Sequence, residues 1–180
     1  MDVEPSAGGR SITERMIGAA TLDIATYEDV EHDTDATAQA AIVVGIVALC
    51  AAIGSLGAGI GPAVGGIVAA YVGWLIWAGV TYLIGDKLLG GTATWGELLR
   101  TLGFAQTPGI LRIFGIIPFL GWIASLVAFV WMLVTGVVAI RQALDFSTGK
   151  AILTAVLGVV AYVVVAGALA AITGVGSMAF

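Results

Sequence analysis

The 180-residue chain is 59% apolar and only 11% charged, with a mean hydropathy of +1.06. Soluble domains are about 45–50% apolar and about 25% charged, so this composition excludes an ordinary soluble domain and points to a membrane. The length fits one domain, and the net charge of −5 hides a strong asymmetry.

Nine of the twelve acids precede residue 36: Asp2, Glu4, Glu14, Asp23, Glu28, Asp29, Glu31, Asp33 and Asp35. Only Arg10 and Arg15 oppose them there, so residues 1–37 read as an acidic tail. Anionic phospholipid heads and nucleic acid both repel such a tail. It is either a solvated segment or a docking surface for a basic cytosolic partner.

Residues 1–10 are small and polar and are expected to be disordered. Ser11 with Glu14 forms a capping box that starts a helix at Ile12. Ile12, Met16, Ala19 and Ala20 share one face of it, and Asp23 on that face implies a break. The reading is an amphipathic helix followed by an acidic connector. That helix lies in the interface or packs against the cytosolic ends of a bundle.

Four apolar runs follow, 38–57, 62–84, 119–140 and 151–173, each long enough for hydrocarbon about 30 Å thick, which takes about 20 helical residues. The first strongly apolar run begins too late for a cleaved signal peptide. "GAGIGP" makes an uncharged hairpin between the first two runs. Asp86, Lys87 and "GGTAT" form the next loop, after which Thr94 and Glu97 make a second capping box. "RQALDFSTGK" is a polar turn before the last run. The lone Cys50 sits in an apolar run and supports no disulfide or metal framework.

The stretch 95–117 is apolar but carries Glu97, Arg100, Gln106, Pro108 and Arg112. Lys and Arg concentrate on the cytosolic side of membrane proteins. If this stretch crosses, Arg10, Arg15, Lys87, Arg100, Arg141 and Lys150 all face the cytosol; if it does not, Arg141 and Lys150 move outside while Lys87 stays. The expectation is therefore an all-α integral membrane protein, a bundle of five transmembrane helices, with the N-terminus cytosolic and the C-terminus outside. Pro108 and Gly109 break the third span into two short helices, 95–106 and 109–117.

Glu97 and Arg100, three residues apart on a helix, are placed to pair. Arg112 lies about five residues short of Pro118, roughly 7–8 Å of helix rise. It either snorkels outward or faces the bundle and needs an acceptor, such as Gln106, a carbonyl freed at the break, or a lipid phosphate. No acid lies within the other four spans to form an ion relay with it. Asp86, Asp145 and Lys150 gather at the cytosolic mouth. "STGK" is no phosphate loop, because Leu144 stands where the first glycine belongs and Ala151 follows the lysine.

His32 with scattered acids makes no metal site, and no nucleophile–base pair is present. No cofactor, metal or enzymatic activity is expected. The 26 glycines do have a physical role, because small residues let helices approach closely in lipid. Gly65, Ala69 and Gly73 recur in the second span, and Gly158, Ala166, Ala170 and Gly174 share a face in the last. These stripes pack within one chain or against a second copy or another membrane protein. Trp95 and Trp122 mark span ends, as an aromatic belt requires, while Trp74, Trp77 and Trp131 sit deeper.

The acidic "YEDVE", the small-residue hairpin of two spans, and above all "LGFAQTPGIL" and "ALDFSTGKA" resemble the Yip family over about residues 15–173. These are polytopic membrane proteins named for interaction with Rab-type small GTPases, and the chain is most similar to their short prokaryotic forms. The resemblance implies five spans with the N-terminus in the cytosol. Eukaryotic members are linked to vesicle traffic and carry an aspartate-leucine-tyrosine-glycine-proline motif in longer tails. That motif is missing here, with Tyr27 its only echo. The combined expectation is a non-enzymatic scaffold or accessory subunit of a prokaryotic plasma membrane. Its partners would be lipid, other integral membrane proteins or its own copies, and no nucleic acid. The alternative is a small permease or lipid- or ion-handling protein using the broken span.

Overall fold

Both capping boxes form as expected. Ser11 Oγ accepts from the Glu14 amide while the Glu14 carboxylate takes the Ser11 amide, opening α1 (Ile12–Ala20). Thr94 and Glu97 do the same for α5 (Trp95–Phe104). Each box satisfies amides that have no partner within the first helical turn. The computed structural model of the protein describes residues 10–173, so the disorder expected before them and Gly174 lie outside the described residues, as do the side chains of Ala166 and Ala170.

Among the described residues the chain is helical throughout, without strands. Four helices are long and apolar enough to cross a membrane. They are α3 (Ala36–Gly54), α4 (Ile60–Tyr82, continued by a π-helical turn over Leu83–Leu88), α6 (Leu120–Ala143) and α7 (Thr148–Thr173). The α3–α4 hairpin turns through Gly59, whose φ of 109° suits a residue without Cβ.

The stretch containing Pro108 departs from expectation in its winding. After α5 the chain continues as a 3-10 helix over Thr107–Ile116, not as a second α-helix. Close backbone packing accompanies this. A Cβ on Gly109 would lie 2.6 Å from Val47, and one on Gly115 would lie 2.7 Å from the Gly54 carbonyl oxygen. Further back, a Cβ on Gly103 would lie 2.8 Å from that of Ala40. Residues 103, 109 and 115 thus meet residues 40, 47 and 54 in step, so α5 and the 3-10 segment run parallel to α3 along its length. α6 returns antiparallel beside them. Thr135 Oγ1 donates to the Ala105 carbonyl at 2.7 Å, and Gly121 backs onto Gly115. α7 lies against α4, where Trp77 meets the Tyr162 ring edge-on at 6.0 Å.

The acidic connector expected after residue 23 is instead a helix, α2 (Ile24–His32), capped by Asp23. It buries Tyr27 and Val30 completely. The Tyr27 hydroxyl donates to the Ala19 carbonyl at 3.0 Å, with Thr135 as a longer second acceptor, and Trp131 Nε1 donates to the Ala20 carbonyl at 2.8 Å. Since Trp131 lies roughly 18 Å of helix rise from Ala143, the α1–α2 hairpin packs far down the side of α6. The tail departs from its solvated reading because two aromatic side chains supply hydrogen bonds to its turn while Tyr27 and Val30 bury apolar surface.

Candidate functional site

Charged side chains collect at one end of the bundle. Arg15 of α1 is only 1% exposed. Its Nε donates to Asp29 at 2.9 Å, one terminal nitrogen to Asp33 at 2.7 Å, and the other to Gln39 at 3.0 Å. Asp29 on α2 and Asp33, the residue that ends it, are four positions apart and meet the same guanidinium. Burial alone would lower the Arg15 pKa, but Asp33 and Asp29 outweigh it and hold it above its ordinary value. The only sequence signal for this site was the four-residue spacing of the two aspartates. In an acidic segment, that spacing reads as a solvated face.

Glu97 and Arg100 do not pair. Glu97 is spent on the α5 cap, and Arg100, 6% exposed, reaches across to the C-terminus of α2. Its Nε donates to the Val30 carbonyl at 2.9 Å, another nitrogen to the Glu31 carbonyl, and a third to Thr37 Oγ1 at 3.4 Å. The last carbonyls of a helix lack internal partners and carry the negative end of its dipole. A buried guanidinium gains more from them than from a carboxylate already bonded elsewhere.

Asp86, Asp145 and Lys150 reach the same mouth without pairing with one another. Asp86 binds Lys87 at 2.7 Å. Asp145 accepts from Thr92 Oγ1 at 2.7 Å, and Lys150 donates to the Leu89 carbonyl at 3.3 Å. Asp145 and Lys150 therefore tie down the loop before α5. Leu144 fills the space beside Gly85 and Gly91 beneath it.

Around Glu31 other carboxylates lie close by, with His32 beside them. The Glu31 carboxyl is pushed up to about 7, first by burial and then by Glu97, Asp145 and Glu28, against the opposing pull of His32. His32 Nδ1 lies 2.8 Å from the Glu28 carbonyl oxygen. Among the described residues no group of His, Cys, Asp or Glu is arranged to hold a metal ion.

Gln106 and Arg112 lie toward the opposite end. Both line a cleft between α3, α4 and the 3-10 segment, whereas Pro108 is buried. The small-residue stripes divide. A Cβ on Gly158 would lie 3.2 Å from the Trp77 ring, and one on Gly73 would lie 2.9 Å from the Tyr162 hydroxyl. Gly65 and Ala69 are exposed, and no described atom lies within 4 Å of a Cβ built at Gly65. Trp95 and Trp122 are exposed, as belt residues are. Trp74 is buried and donates to the Leu99 carbonyl at 3.0 Å.

The family model described as the Yip1 domain matches residues 24–170, from α2 to the last turns of α7. Comparison with curated proteins and with solved structures gave no significant match.

Proposed function

The chain belongs to the Yip1 domain family, and we propose that it serves, without catalysis, as a scaffold or accessory subunit for other integral membrane proteins. The acidic surface around Glu31 carries this reading. Partial burial first, and then the nearby carboxylates of Glu97, Asp145 and Glu28, push the Glu31 carboxyl up to about 7 against the pull of His32. A docking lysine or arginine relieves that repulsion, so such a surface favours a cationic partner. Asp29 and Asp33 are already matched by Arg15 and take no part in it. Along the spans, the open face at Gly65 and Ala69 supports close approach by another transmembrane helix.

We read α5 with the 3-10 segment as a fifth crossing. Ten α-helical residues at 1.5 Å and ten 3-10 residues at about 2.0 Å rise roughly 35 Å, against hydrocarbon of about 30 Å. Register with α3 along its length supports the same reading, and five crossings put Arg15, Lys87, Arg100, Arg141 and Lys150 on one side, while Arg10 binds Asp23 beside the α1–α2 turn. The N-terminus is then cytosolic and the C-terminus outside. The Ala-, Gly- and Val-rich spans favour a prokaryotic plasma membrane.

Two experiments test these readings. Crosslinking in native membrane followed by purification should recover other membrane proteins with the chain, and Glu28→Gln with Glu31→Gln should reduce that recovery. Recovery of the chain alone, or an unchanged set from the double variant, overturns the scaffold reading. For topology, Cys50→Ser clears the background thiol, and single cysteines at Lys150 and Ser55 should label from opposite sides. Labelling from the same side removes the fifth crossing.

A further inference from the structure

The cleft between α3, α4 and the 3-10 segment has a volume of about 340 Å³, within the range of about 300–1,000 Å³ typical of ligand sites. Its walls are mainly small and apolar, including Ala48, Ala52, Ala63 and Gly66, and its polar side chains are Ser55, Gln106 and Arg112. Ser55 Oγ is already bonded to the Ala52 carbonyl at 3.0 Å.

The 3-10 winding puts Gln106, the residue that precedes it, and Arg112 on one face, both lining the cleft. Six residues make two full turns of a 3-10 helix, whereas in an α-helix they would project roughly 120° apart. Arg112 is half-buried, carries a permanent charge with five donors, and forms no ion pair among the described residues. A partly buried cation calls for an anion, and a guanidinium matches phosphate through paired hydrogen bonds. The slot beside it is apolar, which a free inorganic anion cannot use.

We propose that this cleft binds an anionic glycerophospholipid, with its phosphate on Arg112, its ester oxygens toward the Gln106 amide, and one acyl chain between α3 and α4. The site depends on the membrane setting of the spans and not on the scaffold role, so either reading can fail without the other.

The full chain in a nonionic maltoside micelle, offered phosphatidylglycerol, phosphatidylcholine or inorganic phosphate, provides the test by native mass spectrometry and thermal melting. Phosphatidylglycerol should be retained about tenfold over phosphatidylcholine, because the trimethylammonium of choline offsets its phosphate charge and repels the Arg112 guanidinium, while phosphatidylglycerol keeps a net anion for a charge-assisted contact. Arg112→Gln should abolish that preference. Arg112→Lys should keep part of it, because the ammonium keeps the charge but loses the fork. Gly66→Leu places a side chain where no described atom lies within 4 Å of a built Cβ. That variant should fold normally yet block the slot and lower retention of both lipids, so it carries the test if Arg112→Gln fails to fold. Equal retention of the two lipids by the unaltered chain, a preference that survives Arg112→Gln, or undiminished retention by folded Gly66→Leu overturns the proposal. A melting shift from inorganic phosphate equal to that from phosphatidylglycerol also overturns it, and marks a free-anion site.

Discussion

Arg100 on α5 donates from Nε to the carbonyl oxygen of Val30 on α2 at 2.9 Å, capping that helix from a different part of the chain. The same side chain reaches the Glu31 carbonyl. Removing it leaves the C-terminal carbonyls of α2 without their cation. Arg100→Leu should destabilise the protein by about 2–3 kcal/mol, the cost of losing buried hydrogen bonds to a charged group. Limited proteolysis should then cut between residues 21 and 35, where the unaltered chain should resist. Arg100→Lys should restore only part of the protection, since an ammonium lacks the guanidinium's planar fork.

Arg15 matches two aspartates at once. Arg15→Leu leaves Asp29 and Asp33 facing each other one turn apart, beside a former partner that was almost completely buried. Breaking a fully buried pair costs about 3–5 kcal/mol. The carboxylates here remain about a third exposed, and solvent screening reduces the expected loss to about 1–3 kcal/mol. Adding Asp29→Asn and Asp33→Asn should recover part of that loss in a denaturation series, because the three residues act as one network. Strict additivity would show that they do not.

The two glycine stripes should respond in opposite ways. At Gly158 a side chain meets the Trp77 ring at 3.2 Å, so Gly158→Leu should separate α4 from α7 and cost about 1–3 kcal/mol of overpacking. Gly65→Leu should leave the melting temperature of the isolated chain unchanged. If α4 is a contact face, the same substitution should reduce crosslinking to partner membrane proteins.

The Glu31 carboxyl titrates near 7, above its ordinary 4.5. The folded chain thus holds this proton more tightly than the unfolded one. The associated stability is complete below about 4.5 and is lost as pH rises through 7. Glu31→Gln should flatten the stability profile across that window and make the variant the more stable form at pH 8. Asp33 and Asp23 lie below their ordinary 3.8. Their contribution is present above that value and fades as pH falls below it, which leaves the acid limb of the variant unchanged. Melting temperatures across pH check both limbs.

Much of the architecture was legible in the chain because lipid imposes a simple rule. Spans must be long, apolar and internally hydrogen-bonded, and the helices α3, α4, α6 and α7 fall within a few residues of the expected runs. Both capping boxes were legible because their donors and acceptors lie three residues apart. Less visible was anything depending on a distant partner. Arg100 had Glu97 within local reach, yet its acceptors lie about seventy residues away on α2. The segment 24–32 looked like a solvated connector because Arg15 and Thr135, which hold it, and Trp131, which holds the end of α1 before it, come from other elements. Pro108 and Gly109 marked a break but not its form, since the 3-10 winding goes with close contact between Gly109 and Val47 and between Gly115 and Gly54.

The sequence by itself determined the solvent of this protein, the placement of its apolar helices, their caps, and the separation of charged from uncharged ends. Each of those follows from composition or from interactions within a turn of helix. Tertiary structure alone decided that the acidic tail folds against α5 and α6, that Arg15 and Arg100 serve α2, and that Gln106 and Arg112 share a cleft. Hydrogen bonds and charge pairs depend on distances of about 3 Å, and packing sets those distances between segments far apart along the chain.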